Sequence, residues 1–255
     1  MRTKMQPVYR IFDFDDPAAE AVRLEQQMRA MAAIEAPLYE RHGVFEASSL
    51  LDVGCGTGAP GRWLASRGIE VFGVDAVREA VRAASPPRAV AAGEHLPFAD
   101  RSFDVTYARL ALQHAPEPAR VVREMGRVAR RRVVVVDTDL ASFVTYPDLP
   151  TGTAARATWA SAATARGADA FVGRRLRALF VDAGLDDVRT DVAYVTSDAL
   201  GREVFARMLL TPHVRVLHAR DAATLARAED ELRIWIDDPR SFGAAALFVA
   251  SGRPR

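Results

Sequence analysis

At 255 residues the chain has the length of one large domain, or of a core domain with a helical addition. Apolar residues make up 49% and charged residues 26%, which suits a globular protein with a substantial core. Lys+Arg is 34 against Asp+Glu 33, so no net field is available to hold a nucleic-acid backbone or an anionic membrane, and neither is expected as a partner.

The basic residues are almost all arginine, with Lys4 the single lysine, and no function follows from that. Cys55 is the only cysteine, which excludes an internal disulfide and a multi-cysteine zinc cluster. The opening MRTKMQPVYRIFDFDD lacks the apolar segment of a signal peptide. No run approaches the roughly 20 apolar residues that span a bilayer, so a cytoplasmic location is expected.

In chain order, Asp15 or Asp16 before Pro17 marks a helix start. Ala18, Val22, Leu24, Met28, Met31 and Ile34 then recur at helical spacing, which predicts one or two amphipathic helices over about 17–42. Ser49–Val53 reads as a buried strand ending at glycines, with helical periodicity resuming after Pro60. Strands are predicted at Ile69–Val74, Arg88–Ala92, Phe103–Tyr107 and Arg132–Val136, the last with four consecutive valines. Helices are predicted between them at Val77–Ala84 and Pro116–Val128. This alternation indicates a parallel sheet covered on both faces.

The last hundred residues predict helices at about 152–166, 171–184 and 221–236 and strands at about 187–195 and 243–250. Gly184 suits a helix C-cap. Ser197–Arg240 separates the two strands by far more than a hairpin and reads as a helical insertion of the kind that forms lids. One domain over 1–255 is expected, with an N-terminal helical cap at 1–45, a cofactor-binding core at 46–139 and a helical insertion at 197–240.

The sharpest motif is LLDVGCGTG, Leu50–Gly58. It joins a buried strand, an acidic residue two before the first glycine, three alternate glycines and a helix. Gly54 and Gly56 allow a tight turn and close backbone approach to a ligand. The helix after Gly58 offers free N–H groups. This is the recipe of a nucleotide-type site at the end of a first strand. Gly54, Gly56 and Ala59 also fit the dinucleotide pattern G-x-G-x-x-G/A, and Asp75, ending the second strand, suits a ribose in either case.

The block GEHLPFADRSFDVTYARLALQHAPEPARVVREMGRVAR, Gly93–Arg130, separates the two. With the glycine motif it resembles the class I S-adenosylmethionine-dependent methyltransferases, above all small-molecule enzymes of the ubiquinone/menaquinone-biosynthesis type. The resemblance rests on Glu94, Leu96, Pro97, Phe98, Asp100, Ser102–Val105, Leu110, His114, Glu124 and Arg127-Val128. It covers 48–138 well and Gly173–Asp187 weakly.

The resemblance implies a Rossmann-like, doubly wound, seven-stranded, mostly parallel sheet whose last strand is antiparallel, with S-adenosylmethionine as cofactor. It implies that Asp52 and Gly54 hold the methionine amino end while Gly56 and Gly58 shape the turn. Asp75 takes the ribose, Ala76 lies beside the adenine, and Gly93 and Glu94 line its edge. Backbone around Arg109 and Leu110 closes over the methionine portion. Two departures stand out. Ala92 replaces an aspartate of the family, and Ala129-Arg130-Arg131-Arg132 replaces a Pro-Gly-Gly, which alters a surface turn.

Methyl transfer needs alignment and exclusion of water more than a dedicated catalytic motif. His114 is the candidate base, with a cap on the next helix as the alternative. Arg109 is a clamp for an acidic acceptor or the partner of a surface carboxylate. Tyr9, Phe12 and Phe14 are candidates for an aromatic wall over the acceptor. His213 and His218 fall in the insertion and read as solvent-exposed, Asp137 and Asp139 as structural, and Cys55 as a packing residue. The chain has neither Asn/Asp-Pro-Pro-Tyr after the fourth strand nor the acidic ligands of magnesium-dependent catechol-type enzymes, so no metal is expected. The expected function is methyl transfer to a small-molecule acceptor by in-line displacement. The alternatives are a non-catalytic binding or regulatory protein on this fold and an NAD-dependent oxidoreductase.

Overall fold

The computed structural model describes residues 17–83, 87–213 and 222–255. Tyr9, Phe12, Phe14 and His218 lie outside the described residues. The first half of the chain runs α1 (Pro17–Arg41), β1 (Ser49–Val53), α2 (Ala59–Ala65), β2 (Glu70–Asp75), α3 (Arg78–Ala83), β3 (Arg88–Val90) and β4 (Phe103–Arg109). It continues with α4 (Pro118–Val128), β5 (Ala129–Thr138), β6 (Val144–Tyr146), α5 (Pro150–Ala165), α6 (Leu176–Asp182) and β7 (Asp186–Thr196). Two short helices, α7 (Ser197–Leu200) and α8 (Arg202–Phe205), lead into a π-helical stretch, Ala206–Leu210, and α9 (Ala222–Asp237) precedes β8 (Phe242–Arg253).

The strands lie in the order β3-β2-β1-β4-β5-β8, with β7 and β6 also paired to β8. Strands β1 to β5 pair in parallel, and β8 runs antiparallel to β5, β6 and β7. The seven expected strands are all present. The short β6 joins them because Val144–Tyr146 pairs with the first residues of β8; three residues are too few to show a period in sequence.

The four valines of β5 show why the sheet must be covered twice. Val133 and Val135 pack with Val121, Val122 and Met125 of α4 and with Leu176, Leu179 and Phe180 of α6. Val134 and Val136 face the other way, onto Met31, Leu38 and Tyr39 of α1 and Leu64 of α2. All four are fully buried, and each such side chain contributes about 1.5–3 kcal/mol by leaving water.

Helix α4 begins at Pro118, two residues later than the sequence predicts, because proline at the first position disfavours helical geometry at Glu117 before it. The expected surface turn at Ala129–Arg132 is instead the start of β5, which follows Val128 directly. Its arginines pair outward, Arg130 with Asp104 and Arg131 with Glu46. The buried stripe of α1 also differs from the apolar one read in sequence. It runs Met28, Met31, Glu35 and Leu38 and continues onto His42 just past the helix end, while Val22 is 56% exposed. Two members of the true stripe are ionisable, so apolar periodicity passes over them.

A candidate active site at the strand ends

The glycine motif forms a tight loop at the end of β1. Gly54, Gly56 and Gly58 have φ of 76°, 52° and 80°, a left-handed region that side chains rarely enter. The N–H groups of Gly54 and Cys55 both donate to the Val74 carbonyl, at 2.8 and 3.0 Å, tying the loop to β2. A Cβ on Gly54 would stand 2.6 Å from the Ala111 Cβ, whereas one on Gly56 would meet nothing within 4 Å. The loop therefore packs tightly against the segment after β4 at Gly54 and opens at Gly56. Gly58 turns the chain into α2.

Asp75, at the end of β2, holds the loop in place. Its Oδ2 accepts from the Gly56 N–H at 2.9 Å and its Oδ1 from the Val77 N–H at 2.8 Å. Burial pushes its pKa above the usual carboxylate range, although both hydrogen bonds oppose the rise. Asp52 is 1% exposed and its Oδ2 finds no hydrogen-bond partner among the described residues. Burial, with the charge of Asp75 adding and that of Arg109 opposing, pushes its pKa up to about 7.

The loop and the end of β2 border one cavity of about 390 Å³. Gly54, Gly56, Asp75, Ala76, Gly93 and Glu94 all line it, as do Ala92, Arg109, Leu110 and His114. Asp52 and Gly58 do not: Asp52 sits behind the glycine turn. Leu110, at φ 53°, donates its N–H to Val136 and bends the chain away from β4. Arg109 turns to α1 and pairs with the fully buried Glu35, not with a surface carboxylate as expected from sequence. Burial works against the guanidinium's charge, but the Glu35 carboxylate outweighs it and keeps Arg109 protonated.

The other half of the cavity is aromatic and largely uncharged. His114 ends a 3-10 turn, Leu112–His114, whose Gln113 N–H donates to Asp137 Oδ2 at 3.2 Å. The His114 ring meets Trp159 of α5 edge-on at 5.9 Å, and Trp159 meets His213 at 5.8 Å. Phe143 closes the group, 5.7 Å from His213. Burial pushes the pKa of both histidines down to about 4, so both are neutral near pH 7. Asp137 supports the turn that carries His114, and Asp139 pairs with Arg174 and caps the next turn. Cys55 is buried, and burial pushes its thiol pKa up.

Sequence reasoning missed Glu35, Phe143 and Trp159 and read His213 as solvent-exposed. No local pattern marks them, because α1, α5 and the insertion meet over the strand ends only in the folded chain. Arg23 and Gln27 of α1 both donate to the Met208 carbonyl, joining the N-terminal helix to the insertion. Among the described residues no group of three or more His, Cys, Asp or Glu is placed to hold a metal ion, and no helix is long and apolar enough to cross a membrane.

Comparison with known proteins agrees with this architecture. A methyltransferase-domain family model matches residues 51–136. Methyltransferase GfsG of Streptomyces halstedii is 36% identical over 149 residues, 53% of this chain and 50% of that protein. The malonyl-[acyl-carrier protein] O-methyltransferase of Halorhodospira halophila is 33% identical over 213 residues, 72% of this chain and 69% of that one. The chain spans about half or less of the length of several other curated relatives. The Haemonchus contortus phosphoethanolamine N-methyltransferase 2, solved with S-adenosyl-L-methionine, superposes with a TM-score of 0.58 at 16% identity, over 99% of this chain and 61% of that one. That likeness extends the shared fold to the helices around the sheet. The nicotinamide alternative is left without support. With a glycine loop, an acidic β2 end and this strand order, and with a relative aligned over two thirds of both chains, the chain belongs to the class I S-adenosylmethionine-dependent methyltransferases.

Proposed function

We propose that the protein transfers the methyl group of S-adenosylmethionine to a small, largely apolar acceptor held beneath its helical cap. One observation carries the reading: the glycine loop and the aromatic group His114, Trp159, His213 and Phe143 line the same cavity. A cofactor placed on the loop and an acceptor among the rings would share one cavity. We take residues 46–139 as the cofactor-binding core, with 1–45 and 197–240 as parts of the cap, acting in the cytoplasm.

The loop fits the cofactor. The open side of Gly56 is a cradle that any side chain would fill. Asp75 keeps acceptor capacity on both oxygens for ribose hydroxyls, beyond the N–H groups it already receives. Asp52, whose Oδ2 has no hydrogen-bond partner among the described residues, sits behind the turn and would act on a cationic amine through its charge and not by contact. Ala76, Gly93 and Glu94 form the adenine side and Leu110 the methionine side. Bound there, S-adenosylmethionine supplies a methyl group already activated by its sulfonium charge.

The chain's own contribution is alignment and exclusion of water. His114 is the catalytic candidate. Being neutral, it can accept a hydrogen bond from the group to be methylated and orient its lone pair. A ring with a pKa near 4 is a weak base, so positioning outweighs proton abstraction. Trp159 and Phe143 supply flat apolar walls, and α1 and the insertion close over the acceptor.

Calorimetric titration with S-adenosylmethionine, S-adenosylhomocysteine and NAD tests this reading on wild type and Asp75→Ala. Micromolar binding of the first two, lost in the variant and absent for NAD, is expected. Lack of binding by either would leave only a non-catalytic role for the fold.

A further inference from the structure

His213 has no task in the transfer so far described, yet its ring is held in one tautomer. It follows the π-helical stretch Ala206–Leu210, and π-helical turns concentrate at functional sites. Its Nδ1 lies 3.0 Å from the Leu209 carbonyl oxygen. A carbonyl only accepts, so Nδ1 carries the proton and Nε2 of the neutral ring presents a lone pair.

Among the described residues no other hydrogen bond or ion pair holds this ring, which meets the rings of Phe143 and Trp159 edge-to-face. Two guanidinium groups face it. Arg156 lies on α5 and stacks near Phe143, and Arg23 reaches in from α1; both act against a charge on His213. His114 is the remaining titratable group coupled to it, and it too is neutral. The ring is thus a fixed hydrogen-bond acceptor in the cavity wall, and once a bound molecule displaces water from the cavity its nitrogen needs a donor. Neither an anion nor a second acceptor group would supply one.

We propose that His213 determines acceptor specificity: its Nε2 receives a hydrogen bond from a hydroxyl at the cap end of an uncharged, ring-bearing acceptor that lies along Trp159. This rests on the methyl-transfer reading above and extends it to a substrate class. A site built around such a hydrogen bond rejects the analogue that lacks the hydroxyl, because the ring nitrogen is then left unpaired.

The test uses the full chain loaded with S-adenosylhomocysteine and two probes, a dihydroxynaphthalene and the naphthol lacking one of its hydroxyls. Wild type is expected to bind the diol about 10- to 100-fold more tightly. His213→Phe keeps a ring but removes the acceptor, and the preference is expected to vanish. His213→Gln, whose amide oxygen can accept, is expected to restore part of it. Nitrogen NMR of labelled histidine is expected to show the proton on Nδ1 of His213. Equal binding of the two probes to wild type, a preference that survives in His213→Phe, no binding of either probe, or a proton on Nε2 would each overturn the proposal. Failure of S-adenosylhomocysteine itself to bind would overturn the methyl-transfer reading, and this inference with it.

Discussion

Arg109 and Glu35 form an ion pair inside the protein, Nη2 to Oε1 at 2.7 Å, with the two side chains 5% and 0% exposed. The Arg109 Nε adds contacts of 3.1 and 2.9 Å to the same carboxylate. The Tyr39 hydroxyl also donates to Glu35, and Tyr107 lies 2.6 Å from Tyr39 as the next donor in the chain. The pair joins α1 to the end of β4, where the cavity begins. Removing one partner from such a pair leaves a buried, uncompensated charge and costs about 3–5 kcal/mol. Glu35→Leu and Arg109→Met are each expected to lower urea stability by that order. The double variant Glu35→Leu, Arg109→Met is expected to recover much of the loss. Equal losses that simply add would show that the two residues do not act as a pair.

That pair also marks where sequence reading stops. The strands follow from local features, such as runs of β-branched residues, alternate glycines and Asp75 at a strand end, while the doubly wound sheet they form is what the family resemblance implies. The valines of β5 show both faces at once. The glycine-loop half of the cavity was legible as a cluster because its residues follow strands directly. The aromatic half was not. Glu35 belongs to a helical stripe that apolar periodicity cannot mark, and Trp159 and His213 come together only when α5 and the insertion close over the sheet. Ala129–Arg132 misled in the opposite direction, because the resemblance implies a turn where a Pro-Gly-Gly is replaced, while the backbone here is already strand.

The two central glycines of the loop are expected to fail differently. At Gly54 a Cβ would lie 2.6 Å from Ala111, in a conformation already adverse for a side chain, so Gly54→Ala is expected to destabilise the fold. At Gly56 the space is open, leaving a left-handed backbone cost of about 1–2 kcal/mol. Gly56→Ala is expected to fold with a modest loss of thermal stability and to bind S-adenosylhomocysteine far more weakly, because the methyl fills the cradle. Undiminished binding by Gly56→Ala would place the cofactor elsewhere.

Ala92 stands where the resemblance implies an aspartate beside the adenine. It lines the cavity and is exposed, so a longer side chain has room. Ala92→Asp is expected to tighten S-adenosylmethionine binding by the worth of one hydrogen bond, about 0.5–1.5 kcal/mol, which is roughly two- to tenfold. Titration of wild type and variant under the same buffer checks this, and unchanged or weaker binding would count against the adenine lying at Ala92.

The buried titratable groups oppose one another in pH. Burial lowers the pKa of His42, His114 and His213, the last two to about 4. Burial raises Asp52, Asp75 and Asp137, the first and last to about 7. Between pH 5 and 6.5 the unfolded chain takes up protons on histidines that the folded chain keeps neutral, so their contribution to stability rises with pH. Over the same window the folded chain keeps protons on the aspartates that the unfolded chain has released, so theirs falls. The opposing slopes largely offset one another, and wild-type stability is expected to be nearly flat there. His114→Phe with His213→Phe removes two rising contributions, each worth up to about 1.4 kcal/mol per pH unit. Stability of that variant is expected to fall as pH increases. Asp137→Asn removes a falling contribution, and its stability is expected to rise instead. Urea melts at pH 5.0, 5.7 and 6.5 would read both slopes, and parallel profiles for the three proteins would show that these groups titrate alike in the folded and unfolded chain.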